Sequence, residues 1–374
     1  MCSRSTIVVV CLVFLIFIEW NPSGLMAQPA PDRSRESITL GLLVEDSTLV
    51  EARYGAQFAV KEINRNGCLN GRSVDVVIKS MEGPWGVGSK KAVDLVFDEK
   101  AWALVGLLNG RNSHLVEQVA AKTDVPFVSA WASDPTLSKA YVPQFFNCAP
   151  NSEQQARAIF DDLIAKHGSE TWILVSDDDY DSRIATESLK KLDGFEKNRA
   201  SEHFTCASPD DFKALARMIR DRRPTALVVF CEPELSLQLI RFLRSSAMLL
   251  PVYTSMTLLD EQTFSRLVSD GLEKVYFAGR GTWMTDRDSD FVSEFQGRFG
   301  RNPGAMAAFA YDAIQTLAQA IVKSDSDRKK LKQSLSATSY SGKTGAIEFD
   351  RFGNLKSTIP VEVVSSRNLY ASKP

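Results

Sequence analysis

The sequence predicts an α/β protein made of two doubly wound parallel-sheet lobes. Three observations lead there. From Ile38 onward, short β-branched runs alternate with longer stretches whose apolar residues recur at helical spacing. The alternation restarts with the helix Glu153 to Lys166, as a second series of the same units. From Ser289 helices follow one another, which cannot continue a βα winding, so the C-terminal part packs back onto an earlier lobe. Discontinuous lobes of this kind are joined by several chain crossings, which form a hinge.

In order, Ile38 to Val44 reads as the first strand. Arg53 to Asn64 carries Tyr54, Phe58, Ala59 and Ile63 at helical spacing and is stopped by Asn66-Gly67. Val74 to Ile78 is a strand, Ser89 to Asp98 a helix, and Ala103 to Leu108 a third strand. Ser113 to Lys122 is a helix with Leu115, Val116 and Val119 on one face, and Phe127 to Ser129 is a fourth strand. In the second series the helix Glu153 to Lys166 turns Ala156, Ile159, Phe160 and Leu163 inward. The strands Trp172 to Ser176, Ser201 to Thr205, Ala226 to Phe230 and Val252 to Ser255 interleave with helices at Ile184 to Leu192, Asp210 to Arg220 and Leu235 to Ser245. Strict alternation implies parallel sheets covered by helices on both faces. Ser289 to Phe299, Ala305 to Val322 and Arg328 to Leu335 are the consecutive helices. Gly345 to Phe349 and Thr358 to Val364 read as a β pair around the turn Arg351-Phe352-Gly353-Asn354.

The 374 residues suit two lobes better than one core. A formal net charge of −2, with Lys and Arg spread along the chain, gives no purchase for nucleic acid or an anionic membrane. Residues 1–27 differ from the rest: Arg4, then the apolar run Ile7 to Ile18, then small residues ending at Ala27. That run is short for a bilayer span and suits a signal peptide cleaved near Ala27–Gln28, with no later membrane segment. Export places the protein in the periplasm. Cys68, Cys148, Cys206 and Cys231 then remain, with no CxxC spacing, and read as buried thiols with at most one bridge.

Several chemical motifs fail on context. The stretch Ala337-Thr338-Ser339-Tyr340-Ser341-Gly342-Lys343-Thr344 loosely fits a P-loop, but it follows a helix and opens a strand, the reverse of what phosphate binding needs. His114 and Glu117 lie one helical turn apart, yet with three histidines in the chain no further ligand has metal-site spacing. Asp177-Asp178-Asp179 reads as a solvated loop. No Gly-x-Ser-x-Gly occurs. The expectation is a non-enzyme without metal or cofactor.

In open parallel sheets a ligand binds beyond the carboxyl ends of the strands. In the first lobe that rule points to Glu45-Asp46, Trp85, Asn109-Gly110-Arg111 and Trp131-Ala132-Ser133. In the second it points to Asp179-Tyr180, Cys231-Glu232 and Ser255-Met256.

A family resemblance covers nearly all of the chain after residue 37. It is carried by Gly55-Ala56-Gln57-Phe58-Ala59-Val60-Lys61-Glu62-Ile63-Asn64, Asn70-Gly71-Arg72, Val125-Pro126-Phe127-Val128-Ser129 and Ser133-Asp134-Pro135-Thr136-Leu137. Further on come Ala310-Tyr311-Asp312-Ala313-Ile314 and Ser341-Gly342-Lys343-Thr344-Gly345-Ala346-Ile347-Glu348-Phe349-Asp350. In order and spacing these segments resemble the type I periplasmic binding proteins of the leucine/isoleucine/valine-receptor kind. The resemblance implies a three-crossing hinge, with crossings near Cys148, Gly281 and Tyr340. Lobe one would then hold 37–148 and 282–339, and lobe two 149–281 and 340–366.

The resemblance also implies roles. Ser133 matches a hydroxyl that meets a ligand carboxylate. Arg111 stands where Ser or Thr is usual and would clamp a carboxylate instead. Tyr180 falls where an aromatic closes from lobe two. Met256 stands where amino-acid binders carry an acid for the ammonium; either Glu232 substitutes for it or the ligand lacks an ammonium group. Trp85, Trp131, Tyr180 and Met256 would suit an apolar or aromatic body. The expected function is capture of a small amino-acid-like, carboxylate or amide ligand at Asp46, Asn109, Ala132 and these residues, for the membrane permease of an ABC importer. The alternative is a periplasmic sensor of the same fold that signals to a receptor or sensor kinase.

Overall fold

The computed structural model describes residues 37–84, 86–168, 170–195, 201–284 and 289–370. The signal-peptide reading and the candidate Trp85 lie outside the described residues.

The first lobe runs β1 (Ile38–Val44), α1 (Glu51–Arg65), β2 (Val74–Ser80), α2 (Val87–Phe97), β3 (Leu104–Leu107), α3 (Gly110–Thr123), β4 (Phe127–Ser129), α4 (Thr136–Lys139) and β5 (Phe145–Asn147). Its strands are parallel in the order β2-β1-β3-β4-β5. The second lobe runs α5 (Ser152–His167), β6 (Trp172–Ser176), α6 (Tyr180–Lys190), β7 (Ser201–Thr205), α7 (Phe212–Arg222), β8 (Ala226–Phe230), α8 (Pro233–Ser245), β9 (Val252–Thr254), α9 (Glu261–Ser269) and β10 (Val275–Gly279). The chain ends with α10 (Asp290–Phe299), α11 (Ala305–Lys323), α12 (Leu331–Ser336), β11 (Ser339–Gly342), β12 (Gly345–Glu348), β13 (Glu362–Ser365) and α13 (Ser366–Tyr370). The second sheet has the order β13-β10-β9-β8-β6-β7, in which β13 alone is antiparallel. Central strands such as β3, β6 and β8 are buried at every residue, so they read in sequence as unbroken apolar runs.

Both sheets wind the same way. In each, successive connections leave from opposite sides at the boundary between the first and third strands, β1/β3 in one lobe and β6/β8 in the other. Such a switch point splays the two flanking loops apart and leaves a crevice beyond the strand ends.

The C-terminal helices fold back onto the first lobe. Tyr54 of α1 stacks on Phe299 of α10 with ring centroids 4.3 Å apart. Phe58 meets Phe291 of α10 and Tyr311 of α11, each at 5.8 Å. Among the described residues α11 is long and apolar enough to cross a membrane, yet 83% of that stretch is buried inside the fold, so it serves as a core helix.

The β pair expected between 345–349 and 358–364 does not form. β12 pairs instead with β11 across the two-residue turn Lys343-Thr344, and β13 completes the edge of the second sheet beside β10. A two-residue connection closes at less entropic cost than the longer loop, and β13 gains a buried edge for Val364. The turn at 351–354 survives as the single bridge Phe349–Leu355. Cys68, Cys148, Cys206 and Cys231 are free thiols.

The chain passes between the sheets three times: after β5, after β10 and before β13. These passages are stitched together. Thr282 N–H donates to the Lys343 carbonyl at 2.9 Å, and the Asn147 amide to the Gly353 carbonyl at 2.7 Å. Asp312 of α11, fully buried, accepts from the Lys343 amide at 2.9 Å and from the amide and hydroxyl of Thr344, each at 2.6 Å. Gly281 holds a left-handed backbone (φ 87°), and a Cβ there would lie 2.1 Å from the Lys343 carbonyl oxygen, so only glycine lets the two passages touch.

Candidate functional site

Both switch points open into one cavity of about 340 Å³ between the lobes. Glu45 and Asp46 reach it from the end of β1, Asn109 from β3, and Trp131 and Ser133 from β4. The second lobe contributes Asp179, Asp181 and Ser182 at the start of α6, Cys231 and Glu232 after β8, and Ser255, Asp260 and Gln262 after β9. Met306 of α11 forms part of the wall. The volume fits a solute of amino-acid size.

The lobes touch across this cleft through hydrogen bonds. Tyr180 donates its hydroxyl to Asp134 at 2.7 Å. The Gly110 amide, first in α3, donates to both oxygens of Asp181 at 3.2 Å. The Glu51 amide, first in α1, donates to Glu261 at 2.7 Å, and Arg301 bonds the same Glu261 at 3.0 Å. Each contact brings a group of lobe two to a helix start, a carboxylate or, at Arg301, a guanidinium of lobe one. Gly110 is small for this reason: a Cβ there would lie 2.6 Å from Asp181 Oδ1 and 2.8 Å from the Asp134 Cβ.

Helix starts around the cleft are capped by the protein's own acids. Glu45 accepts from the Asn109 amide, and the Asn109 side chain accepts from the Asn112 amide at 2.8 Å. Asp179 caps α6 through the Asp181 amide at 3.0 Å. Asp177 accepts the Glu232 amide before α8 at 2.7 Å, and Asp260 the Thr263 amide of α9 at 2.7 Å. Burial together with repulsion from Asp179, Asp134 and Glu45 pushes the Asp181 carboxyl up to about 7, against the pull of the Gly110 amide. Burial raises Glu45, Glu232 and Asp260 as well.

Beside the cleft, His114 bonds Asp134 at 3.0 Å and Glu117 at 3.1 Å. Those bonds hold the imidazolium up to about 9. Burial would raise Asp134, but hydrogen bonds from His114, Tyr180 and Thr136 outweigh it and keep the carboxyl at about 2. A raised histidine contributes stability that is fully present below its unfolded value of about 6.5 and lost as pH climbs through about 9. The wild type should therefore lose melting temperature between pH 6.5 and 9, and His114→Gln should flatten that slope. An unchanged slope in the variant would remove His114 from the account.

Of the residues singled out in the sequence, Asp46, Asn109, Trp131, Ser133 and Glu232 line the cavity. Arg111 does not: its guanidinium sits 5.8 Å over the Tyr180 ring and borders a shallower side pocket. Tyr180 spends its hydroxyl on Asp134. Ala132 is buried, with its carbonyl accepting from Asn147 at 3.1 Å. Met256 is a core residue whose amide donates to Gln155 at 2.9 Å. Asp181, Ser182, Asp260, Gln262 and Met306 complete the cavity without having been singled out. For Asp181 a signal existed: Asp179 followed by a second acid is a helix-start pattern. Met306 had none, since its helix returns from a distant part of the chain.

Comparison with known proteins agrees with this architecture. Residues 37–358 match a family described as periplasmic binding protein. The branched-chain amino acid transporter substrate-binding protein LivJ of Streptococcus pneumoniae, in complex with isoleucine, is 21% identical. Its structure superposes with a TM-score of 0.73 over 88% of this chain and 99% of its own. A solute-binding protein of an ABC transporter from R. palustris, in complex with benzoate, is 20% identical and gives 0.71 over 88% and 95%. Glutamate receptor 2.9 of Arabidopsis thaliana is 22% identical over 63% of this chain and 26% of its own length. The chain spans about a quarter or less of the curated relatives it matches.

Proposed function

Because the chain belongs to the periplasmic binding protein family, we propose that it is the solute-binding component of an ABC importer, which captures a small amino-acid-like, carboxylate or amide solute by hinge closure and presents the closed lobes to a membrane permease. One observation carries the reading: a cavity of about 340 Å³ is walled by the strand ends of both sheets, so a solute in it contacts both lobes at once. A ligand that bridges both lobes binds the closed state better than the open one and shifts the population accordingly. We place lobe one at 37–148 plus 282–339 and lobe two at 149–281 plus 340–366, with export to the periplasm directed by residues 1–27. Capture without turnover fits an importer component.

The test is a melting-temperature screen of the chain from residue 28 against amino acids, carboxylates, amines and amides, followed by small-angle scattering with any hit. A bound member at a hundredfold excess over its Kd adds about 2.7 kcal/mol of stability. It should shrink the radius of gyration and reappear chemically unchanged. Ser133→Ala should weaken that binding about tenfold, the worth of one hydrogen bond to a polar ligand group. Turnover of the hit, or binding with no compaction, would sink the reading.

A further inference from the structure

Resting on the capture of a solute in the cleft, though not on the solute class named above, we propose that the solute is an organic cation, bound through its ammonium by the carboxylates of the cleft, and that it carries no free carboxylate. Three independent features point the same way.

First, the cavity wall is acidic. Glu45, Asp46, Asp179, Asp181, Glu232 and Asp260 line it, and among the described residues no Lys, Arg or His does. Nearby cations are engaged elsewhere: Arg301 with Glu261, Arg266 with Glu234, His114 with Asp134. A carboxylate entering this space meets repulsion, whereas an ammonium relieves it.

Second, several of the places where an anion would be held are taken. Helix starts are the natural seats for a carboxylate, because their amides point outward with no partner. Here Glu45 and Asp181 occupy the amides of Asn109 and Gly110 at α3, and Glu261 that of Glu51 at α1. In the second lobe Asp179 and Asp260 cap α6 and α9, and Asp177 accepts the Glu232 amide just ahead of α8. The protein has supplied its own anions, two of them, Asp181 and Glu261, reaching across from the opposite lobe.

Third, the cavity retains polar capacity that a ligand would satisfy. Ser133 and Ser182 line it at 4% and 6% exposure, one from each lobe, and the hydroxyl of neither is bonded within the protein among the described residues. A hydroxyl oxygen accepts from an ammonium N–H. Trp131 and Phe230 add aromatic walls, which favour a cation and an apolar body together. A bare metal ion is a poor fit: among the described residues no group of three or more His, Cys, Asp or Glu side chains is placed to hold one.

Charge-matched probes on three skeletons test this by calorimetry at pH 7 with the chain from residue 28. The first series is 3-methylbutylamine, leucine and 4-methylpentanoate. The second is 2-phenylethylamine, phenylalanine and 3-phenylpropanoate, and the third is 1,4-diaminobutane, 4-aminobutanoate and butanoate. In the skeleton that fits, the amine should bind at least tenfold tighter than the zwitterion, with no binding of the acid. Glu232→Gln should weaken the amine about tenfold while leaving the melting temperature of the free protein in place. A zwitterion or acid that binds tighter than its amine overturns the cation assignment and leaves capture in the cleft standing. Silence from all nine compounds overturns the cation assignment and leaves capture to be decided by the wider melting-temperature screen, amides included.

Discussion

Asp312→Ala should lower the unfolding free energy by about 3–5 kcal/mol, the range for breaking a buried charged hydrogen-bond network by removing one partner. The residue is fully buried, and its carboxylate accepts three bonds from the turn Lys343-Thr344. That turn joins β11 to β12 and also receives the Thr282 amide from the passage that follows β10. Alanine leaves two amides and a hydroxyl without partners, and each such buried group costs about 1–3 kcal/mol. Asparagine should recover only part of the loss, because both oxygens of Asp312 act as acceptors and an amide must turn its NH2 toward one of the donors. Urea unfolding of wild type, Asp312→Ala and Asp312→Asn gives the order directly. An alanine midpoint equal to wild type would mean that the passages hold together without this anchor.

Gly110→Ala should act mainly on closure, and should cost about a hundredfold in affinity for whatever solute the wild type captures. The added methyl would lie 2.6 Å from Asp181 Oδ1 and 3.1 Å from the Tyr180 ring, both on lobe two, and 2.8 Å from the Asp134 Cβ of its own lobe, which must give locally in the open and closed states alike. Lobe two would have to withdraw, giving up the Gly110–Asp181 bonds and the Tyr180–Asp134 bond. Bonds to charged groups contribute about 1.5–3 kcal/mol each, and 2.7 kcal/mol taken from the closed state scales apparent affinity down about a hundredfold. Small-angle scattering should show a larger radius of gyration in the variant. Adding Asp181→Ala should restore part of the compaction by removing the nearest clash. A single variant as compact as wild type would show that this contact does not govern closure.

The core strands were legible because parallel strands buried on both faces leave an unambiguous trace. Ile38–Val44, Trp172–Ser176 and Ala226–Phe230 are bounded in the structure where the apolar runs begin and end. Two helix starts at the cleft were read late. α3 begins at Gly110 and α6 at Tyr180, three and four residues ahead of the periodic pattern. Hydrophobic spacing marks the face turned to the core, and these first turns face the cleft, with Arg111, Asn112 and Asp181 outside any such pattern. The part of each helix that matters most to the site is therefore the part with the least periodic signal. The strand-end rule pointed to loops that wall the cavity, but it could not tell that Arg111 leans over Tyr180 or that Asp181 crosses between lobes. One short strand, Phe145–Asn147, gave no signal of its own, although Phe127–Ser129 and Val252–Thr254 of the same length were read as strands.

The final quarter of the chain supplies both α11, against which α1 packs its aromatic face, and β13, the edge of the second sheet. During synthesis neither lobe can complete its core until those residues have emerged. A multidomain chain generally folds from its N-terminus as each domain is finished. Here the first half waits for the last, and contacts between residues some 250 apart, such as Tyr311 with Glu62, must close before either part is secure. The interleaving that makes the hinge thus also sets the order of folding: two halves stay unfinished until α11 and β13 are available to complete them together.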